Sequence, residues 1–166
     1  EVAHRLGLKK ITVPSIGPQR LDPGDAALMS LFQYLIANAD WAALRGPDPD
    51  ECCHNVKLIA PRPLGADDLV VPVPYDFDMC GLVNANYAVV SQVGGETLPI
   101  TDVTQRYWRG FKRPPGVYEQ VRDYYVANKD AVLAKADAIK PEFRDEKEYE
   151  EKWFEGIETI KKYTSR

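Results

Sequence analysis

Two aspartates, Asp76 and Asp78 in the run Tyr75-Asp76-Phe77-Asp78, are the residues of this 166-residue sequence best placed to do chemistry. On an extended segment, residues two apart share one side, their Cα atoms about 7 Å from each other, with Phe77 facing the other way into a core. Carboxylates held that close repel, and a cation relieves the repulsion. Mg²⁺ suits such a place because it takes one or two carboxylates and keeps phosphate or water as its other ligands. The plainer reading is that both aspartates solvate a turn before Gly81. Two residues upstream favour the cation. Asp40, in Asn38-Ala39-Asp40-Trp41, can accept a proton from an attacking hydroxyl, with Trp41 anchoring its loop. Asn55, directly after His54, can add an amide oxygen to a metal's ligand set.

Other polar residues have a chemical and a structural reading. His54 can act as a base, but a histidine beside an asparagine at a strand start more often makes a structural hydrogen bond. Cys52, Cys53 and His54 can supply metal ligands, yet adjacent cysteines lack the gap typical of zinc sites, and small, partly buried thiols are the better reading. Asn84, Asn86 and Tyr87 either shape a metal site or form a turn. Arg106 and Arg109 either hold a phosphate or make structural ion pairs, and the second is favoured.

The elements that must position these residues follow from patterning. Residues 1–24 hold Pro14, Gly17, Pro18, Pro23 and Gly24 and read as an irregular lead-in. Asp22 or Asp25 can cap a helix over 26–37, where Ala27, Leu28, Leu31, Phe32, Leu35 and Ile36 recur at helical spacing. Asn38 to Glu51, rich in Pro, Gly and acid, is a loop. Strands are expected over 56–60 and 69–73, forming a hairpin whose second strand lies at a sheet edge because Pro72 and Pro74 cannot donate backbone hydrogen bonds. Residues 25–93 then form a core that carries the Asp and Asn motifs, and 94–166 a helical C-terminal part. Helices are expected from Thr101 or Asp102 to near Gly110, over 117–127, over 131–139, and over 145–163, where Tyr149, Trp153, Ile157 and Ile160 make one face. The fold class is mostly α with a small β-hairpin, α+β, in a single domain.

The order helix, Asp loop, Asn, hairpin, Asp is that of protein-kinase catalytic lobes. Asn38-Ala-Asp40-Trp, His54-Asn55 and Val73-Pro-Tyr-Asp76-Phe-Asp78 with Gly81 resemble the atypical kinase-like families. The spore-coat protein H-like kinases are the nearest likeness and the HipA-type kinases a more distant one. The resemblance covers residues 26–84, about a third of the chain. It implies Asp40 as the catalytic aspartate, Asn55 as metal- and nucleotide-binding asparagine, Asp76 as the principal metal and nucleotide ligand, and Asp78 as its helper. It implies ATP with Mg²⁺ or Mn²⁺ as cofactor and an unidentified hydroxyl acceptor as second substrate. It also implies a C-terminal lobe alone. The sequence has no glycine-rich phosphate loop and no strand lysine of the kinase kind, so a nucleotide-covering lobe would come from an upstream segment. Asp40 and Asn55 are separated by an acidic, Pro-rich insert that must bulge out as a loop.

Composition sets bounds on the remaining readings. The net charge of −4 argues against nucleic acid, which selects concentrated Lys and Arg. With 45% hydrophobic and 28% charged residues the composition is that of a soluble globular protein, and no run nears the ~20 apolar residues of a membrane span. The chain begins at Glu1, as a processed product or a piece of a longer protein does; compartment stays open, with three cysteines mildly favouring a reducing one. A kinase-like phosphotransferase leads, a non-catalytic kinase-like binding or scaffold module is the alternative, and a metal-dependent hydrolase comes last, since only His4 and His54 are available to it.

Overall fold

In the computed structural model, which describes residues 2–49, 51–61, 63–93 and 97–137, the site is built around the end of one buried helix. This helix, α2, spans Pro23–Leu35. It starts where Asp22 accepts the Asp25 amide at 2.9 Å, and Pro23 fills the first turn, where a missing N–H leaves nothing unpaired. Its two faces are both covered. Ala26 and Met29 join the cluster formed with the sheet, whereas Ala27, Leu31, Tyr34 and Leu35 pack with Val121 and Tyr125.

The helix ends in a left-handed turn. Ala37 has φ 53°, its amide donates to the Tyr34 carbonyl at 3.2 Å, and the Asn38 amide donates to the Gln33 carbonyl at 2.8 Å. That pairing is the Schellman arrangement, which glycine usually occupies. Here Ala37 is held in place from outside. The amides of Gly81 and Leu82 donate to the carbonyls of Ala37 and Ile36 at 3.1 and 3.0 Å, and Arg106 donates to the Leu35 carbonyl through Nε and Nη2 at 3.2 and 3.1 Å. The next residues are Asn38 and Asp40.

The sheet has three antiparallel strands in the order β1-β2-β3: β1 Lys9–Ile11, β2 Val56–Ala60 and β3 Val71–Pro74. Leu58 is the centre of its register, opposite Ile11 on one side and Pro72 on the other. β3 lies at an edge, as its two prolines require. An α+β class is therefore right, but the hairpin has a third strand. Residues 1–24 are correspondingly less irregular than expected: they supply a short helix, α1 (Val2–Arg5), then β1, then a 3₁₀ turn over Pro18–Arg20. Three residues are too few for a period-two pattern to be read from the sequence, and Lys9 and Lys10 are both exposed.

Two further helices, α3 (Val117–Ala127) and α4 (Lys129–Asp137), are divided at Asn128 as expected. The expected helix from Thr101 to Gly110 does not form. Asp102 Oδ1 instead accepts the amide and hydroxyl of Thr104 at 2.8 and 2.6 Å, closing a local turn that competes with helix initiation. The amphipathic stretch over 145–163 lies outside the described residues. No helix among those described is long and apolar enough to cross a membrane.

Candidate functional site

Asp40 lies one turn beyond the helix end and is aimed by its neighbours. Its amide donates to Asn38 Oδ1 at 2.9 Å, and Asn38 is itself buried, donating through Nδ2 to Gln33 Oε1 at 3.0 Å. Trp41 anchors the same loop, almost fully buried and donating its indole N–H to the Asn38 carbonyl at 3.1 Å. Backbone and side-chain bonds at residues 38–41 therefore fix the stretch of backbone that carries the Asp40 carboxyl.

Three side chains meet that carboxyl. Asn55 Nδ2 donates to Oδ2 at 2.9 Å and to the Asp40 carbonyl at 2.9 Å. His54 Nε2 lies 3.1 Å from Oδ1, and the Ser91 hydroxyl donates to the same oxygen at 2.7 Å. The Asp40 side chain keeps only 17% of its exposure, so these bonds act with little competition from water. His54 thus makes the hydrogen bond expected of it, with its ring on Asp40. Cys52 and Cys53 are joined to each other in a disulfide, which corrects their reading as free thiols and removes both as thiolate ligands.

Asn55 also connects Asp40 to the acidic motif. It sits at φ 52°, a left-handed conformation that asparagine tolerates, and its carbonyl accepts the Tyr75 amide at 3.0 Å. Asp76 follows at φ 61°. Strand geometry therefore does not carry Asp76 and Asp78, because β3 stops at Pro74 and the chain turns. The two carboxyls still come together. Loss of solvent, a hydrogen bond with the Asp78 carboxyl, and the charges of Asp78 and Asp40 push the Asp76 acid above the usual carboxylate range. Asp76 is an exposed residue, so the two neighbouring carboxylates are the more telling cause. The charge of Asp78 foremost, then loss of solvent, a hydrogen bond with Asp78 and the charge of Asp76, push up the phenol of the exposed Tyr87.

Phe77 is half-buried against Phe32, the rings edge to face at 5.6 Å, which fixes the motif to α2. Asp40, Asn55, Asp76 and Asp78 are thus brought to one place. Asn84, at φ 45° with its amide on the Cys80 carbonyl at 3.0 Å, belongs to a turn. Arg106 caps the helix end through its two bonds to the Leu35 carbonyl. Ser91 carries no sequence signal: a serine in Val-Val-Ser-Gln, 51 positions after Asp40, is recognisable only from the structure. Among the described residues, no group of three or more His, Cys, Asp or Glu side chains is arranged to hold a metal ion. Comparison with known proteins brings no match, whether to a family model, a curated protein or a solved structure.

Proposed function

We propose that the chain is the catalytic-lobe part of a kinase-like phosphotransferase acting with ATP and Mg²⁺ or Mn²⁺ on a hydroxyl acceptor. The observation that carries this reading is the convergence of four residues from separate segments. Asn55 bonds the Asp40 carboxylate, while Asp76 is influenced by the charges of both Asp78 and Asp40. Neighbouring carboxylates that raise the proton affinity of Asp76 are a favourable setting for a cation. Two aspartates and one amide oxygen are enough for Mg²⁺, which takes few protein ligands and completes its shell with phosphate and water. A bound cation would neutralise charge on the transferring phosphoryl group. Asp40 would orient and deprotonate the acceptor hydroxyl; Asn55 holds Asp40 through Nδ2, and its amide oxygen, with the carboxylates of Asp76 and Asp78, would hold the cation. The lobe that covers the nucleotide comes, in this reading, from outside these 166 residues.

One observation favours a second reading. Both oxygens of Asp40 already accept side-chain donors, as a purely structural carboxylate would, and a non-catalytic module with the same architecture would keep them. Titration calorimetry of the purified chain with Mg²⁺ or Mn²⁺ plus ATP separates the two. Metal-dependent binding that disappears in Asp76→Ala, with the circular dichroism spectrum unchanged, is the expected result. Binding that persists in the variant removes Asp76 from the metal site. Absence of binding, also when any upstream segment of its gene is joined to the chain, favours the module.

A further inference from the structure

We infer that Ser91 is a positioning residue for Asp40, an inference that rests on the phosphotransferase reading. Asp40 stands on a loop rather than on a helix or strand, so its carboxylate is only as well aimed as the donors that hold it. Oδ2 is fixed by Asn55, whose own backbone is tied to Tyr75. Oδ1 accepts from His54 at 3.1 Å and from Ser91 at 2.7 Å, and the shorter bond is the hydroxyl's. The hydroxyl is itself oriented. The Val93 amide donates to Ser91 Oγ at 3.2 Å, occupying an acceptor direction and leaving the hydroxyl proton to point at Asp40.

Ser91 also connects the site to the segment that precedes it. Val83, Tyr87 and Val89 are exposed, Val89 at 64%, and the stretch from Ala85 to Val90 forms neither helix nor strand. The Ser91 hydroxyl on Asp40 joins this segment to the helix-end loop, so one bond both sets the rotation of the carboxylate and seats the chain beside it. Without it, Oδ1 keeps the longer His54 contact and the carboxylate is held less firmly about its Cβ–Cγ bond. A misplacement of this kind lowers turnover without removing any group that binds nucleotide.

The test uses the full chain with Ser91→Ala and Ser91→Thr. In Ser91→Ala the side-chain NH₂ resonances of Asn55 should shift, because their acceptor moves, and Ser91→Thr, which keeps the hydroxyl, should restore them. Turnover of Mg-ATP should fall about 10- to 100-fold in Ser91→Ala with the KM for ATP within about twofold, and recover in Ser91→Thr. Unchanged Asn55 resonances in Ser91→Ala overturn the positioning role whatever the activity. A fall in turnover that Ser91→Thr does not restore also overturns it. Shifted resonances in Ser91→Ala, alongside a wild-type chain that binds no Mg-ATP even when any upstream segment of its gene is joined to it, would overturn the phosphotransferase reading and support the Ser91–Asp40 coupling.

Discussion

Replacing Asp40 by asparagine removes a charge and leaves the shape, so it isolates what the carboxylate contributes. Three side chains donate to it, from Asn55, His54 and Ser91, at 2.9, 3.1 and 2.7 Å. A carboxamide can satisfy the same partners. Its oxygen faces Asn55 Nδ2, and its NH₂ faces the Ser91 hydroxyl and the His54 ring nitrogen, both of which can accept. The loss is the charge assistance, about 1 kcal/mol for each of three bonds. Partial contact with solvent reduces the sum, and relief of repulsion with Asp76 and Asp78 offsets less than about 1 kcal/mol because Asp76 is exposed. Hydrogen bonding therefore outweighs repulsion, and Asp40→Asn should cost about 1–2 kcal/mol.

For a chain of this size each kcal/mol shifts the melting temperature by about 2–4 °C, giving a drop of about 2–8 °C for Asp40→Asn. Asp40→Ala leaves His54 and Ser91 without this acceptor and should cost about 2–4 kcal/mol. Thermal melting followed by far-ultraviolet circular dichroism at neutral pH reads both. In the same Asp40→Asn sample, Mg-ATP binding should survive and turnover should fall by about 10²–10⁴-fold, the usual contribution of a positioned base. An Asp40→Asn chain that melts at or above the wild type would refute the hydrogen-bond reasoning, and one that retains turnover would refute the role of Asp40 as base.

Two further outcomes test the framework around the site. A Cβ on Gly81 would overlap the Val103 carbonyl and lie 2.6 Å from Thr104 Cα and 2.9 Å from Ala37 Cβ, so Gly81→Ala should lower the melting temperature by about 2–12 °C, with a wild-type melt counting against the close approach. Burial, then the neighbouring Tyr124, pushes the Tyr125 phenol well above its usual value of 10.0. The folded state thus resists ionisation that the unfolded chain undergoes, and the stability this represents is complete below pH 10.0 and lost as pH rises above it. Tyr125→Phe should flatten the fall in urea midpoint above that pH, at little cost near neutrality because the phenol's bond to the Leu28 carbonyl is long, 3.3 Å; an unchanged alkaline slope would exclude Tyr125 as its source.

Much of the scaffold is legible in the sequence because its signals are local. The apolar spacing and Asp22 mark α2, and Pro72 and Pro74 mark an edge strand. β1 is illegible because its pairing with β2 is made across the chain, Ile11 opposite Leu58. The turn at Asp102 is misleading for another reason: a residue able to cap a helix can also close a turn on Thr104, and the capping residue alone does not decide between them. Asp40, Asn55, Asp76 and Asp78 stand out by type, but their meeting depends on left-handed residues at Asn55 and Asp76 that strand alternation does not anticipate. Ser91 is reached by no pattern at all, since a single hydroxyl is informative only through the oxygen it touches.

A separation of fifteen positions from Asp40 to Asn55 is large for two residues that share a site, and the structure explains how it is accommodated. The insert is closed at its base. Ala42 and His54 form an antiparallel bridge, each amide donating to the other's carbonyl at 2.9 Å. The N-terminal segment, whose prolines and glycines suggest only an irregular lead-in, ties down the loop on both limbs: the Ile16 amide donates to the Leu44 carbonyl at 2.9 Å, and the Cys52 amide donates to the Val13 carbonyl at 2.7 Å. Chain entering the loop leaves Asp40 in place, and chain returning from it delivers His54 and Asn55 to the Asp40 carboxylate. Closing a longer loop costs little beyond closing a short one, because the entropy grows only with the logarithm of length. Loop length between two residues therefore says little about whether they meet. What decides it is whether the base of the loop is paired, and here residues 13 to 16 help to pair it.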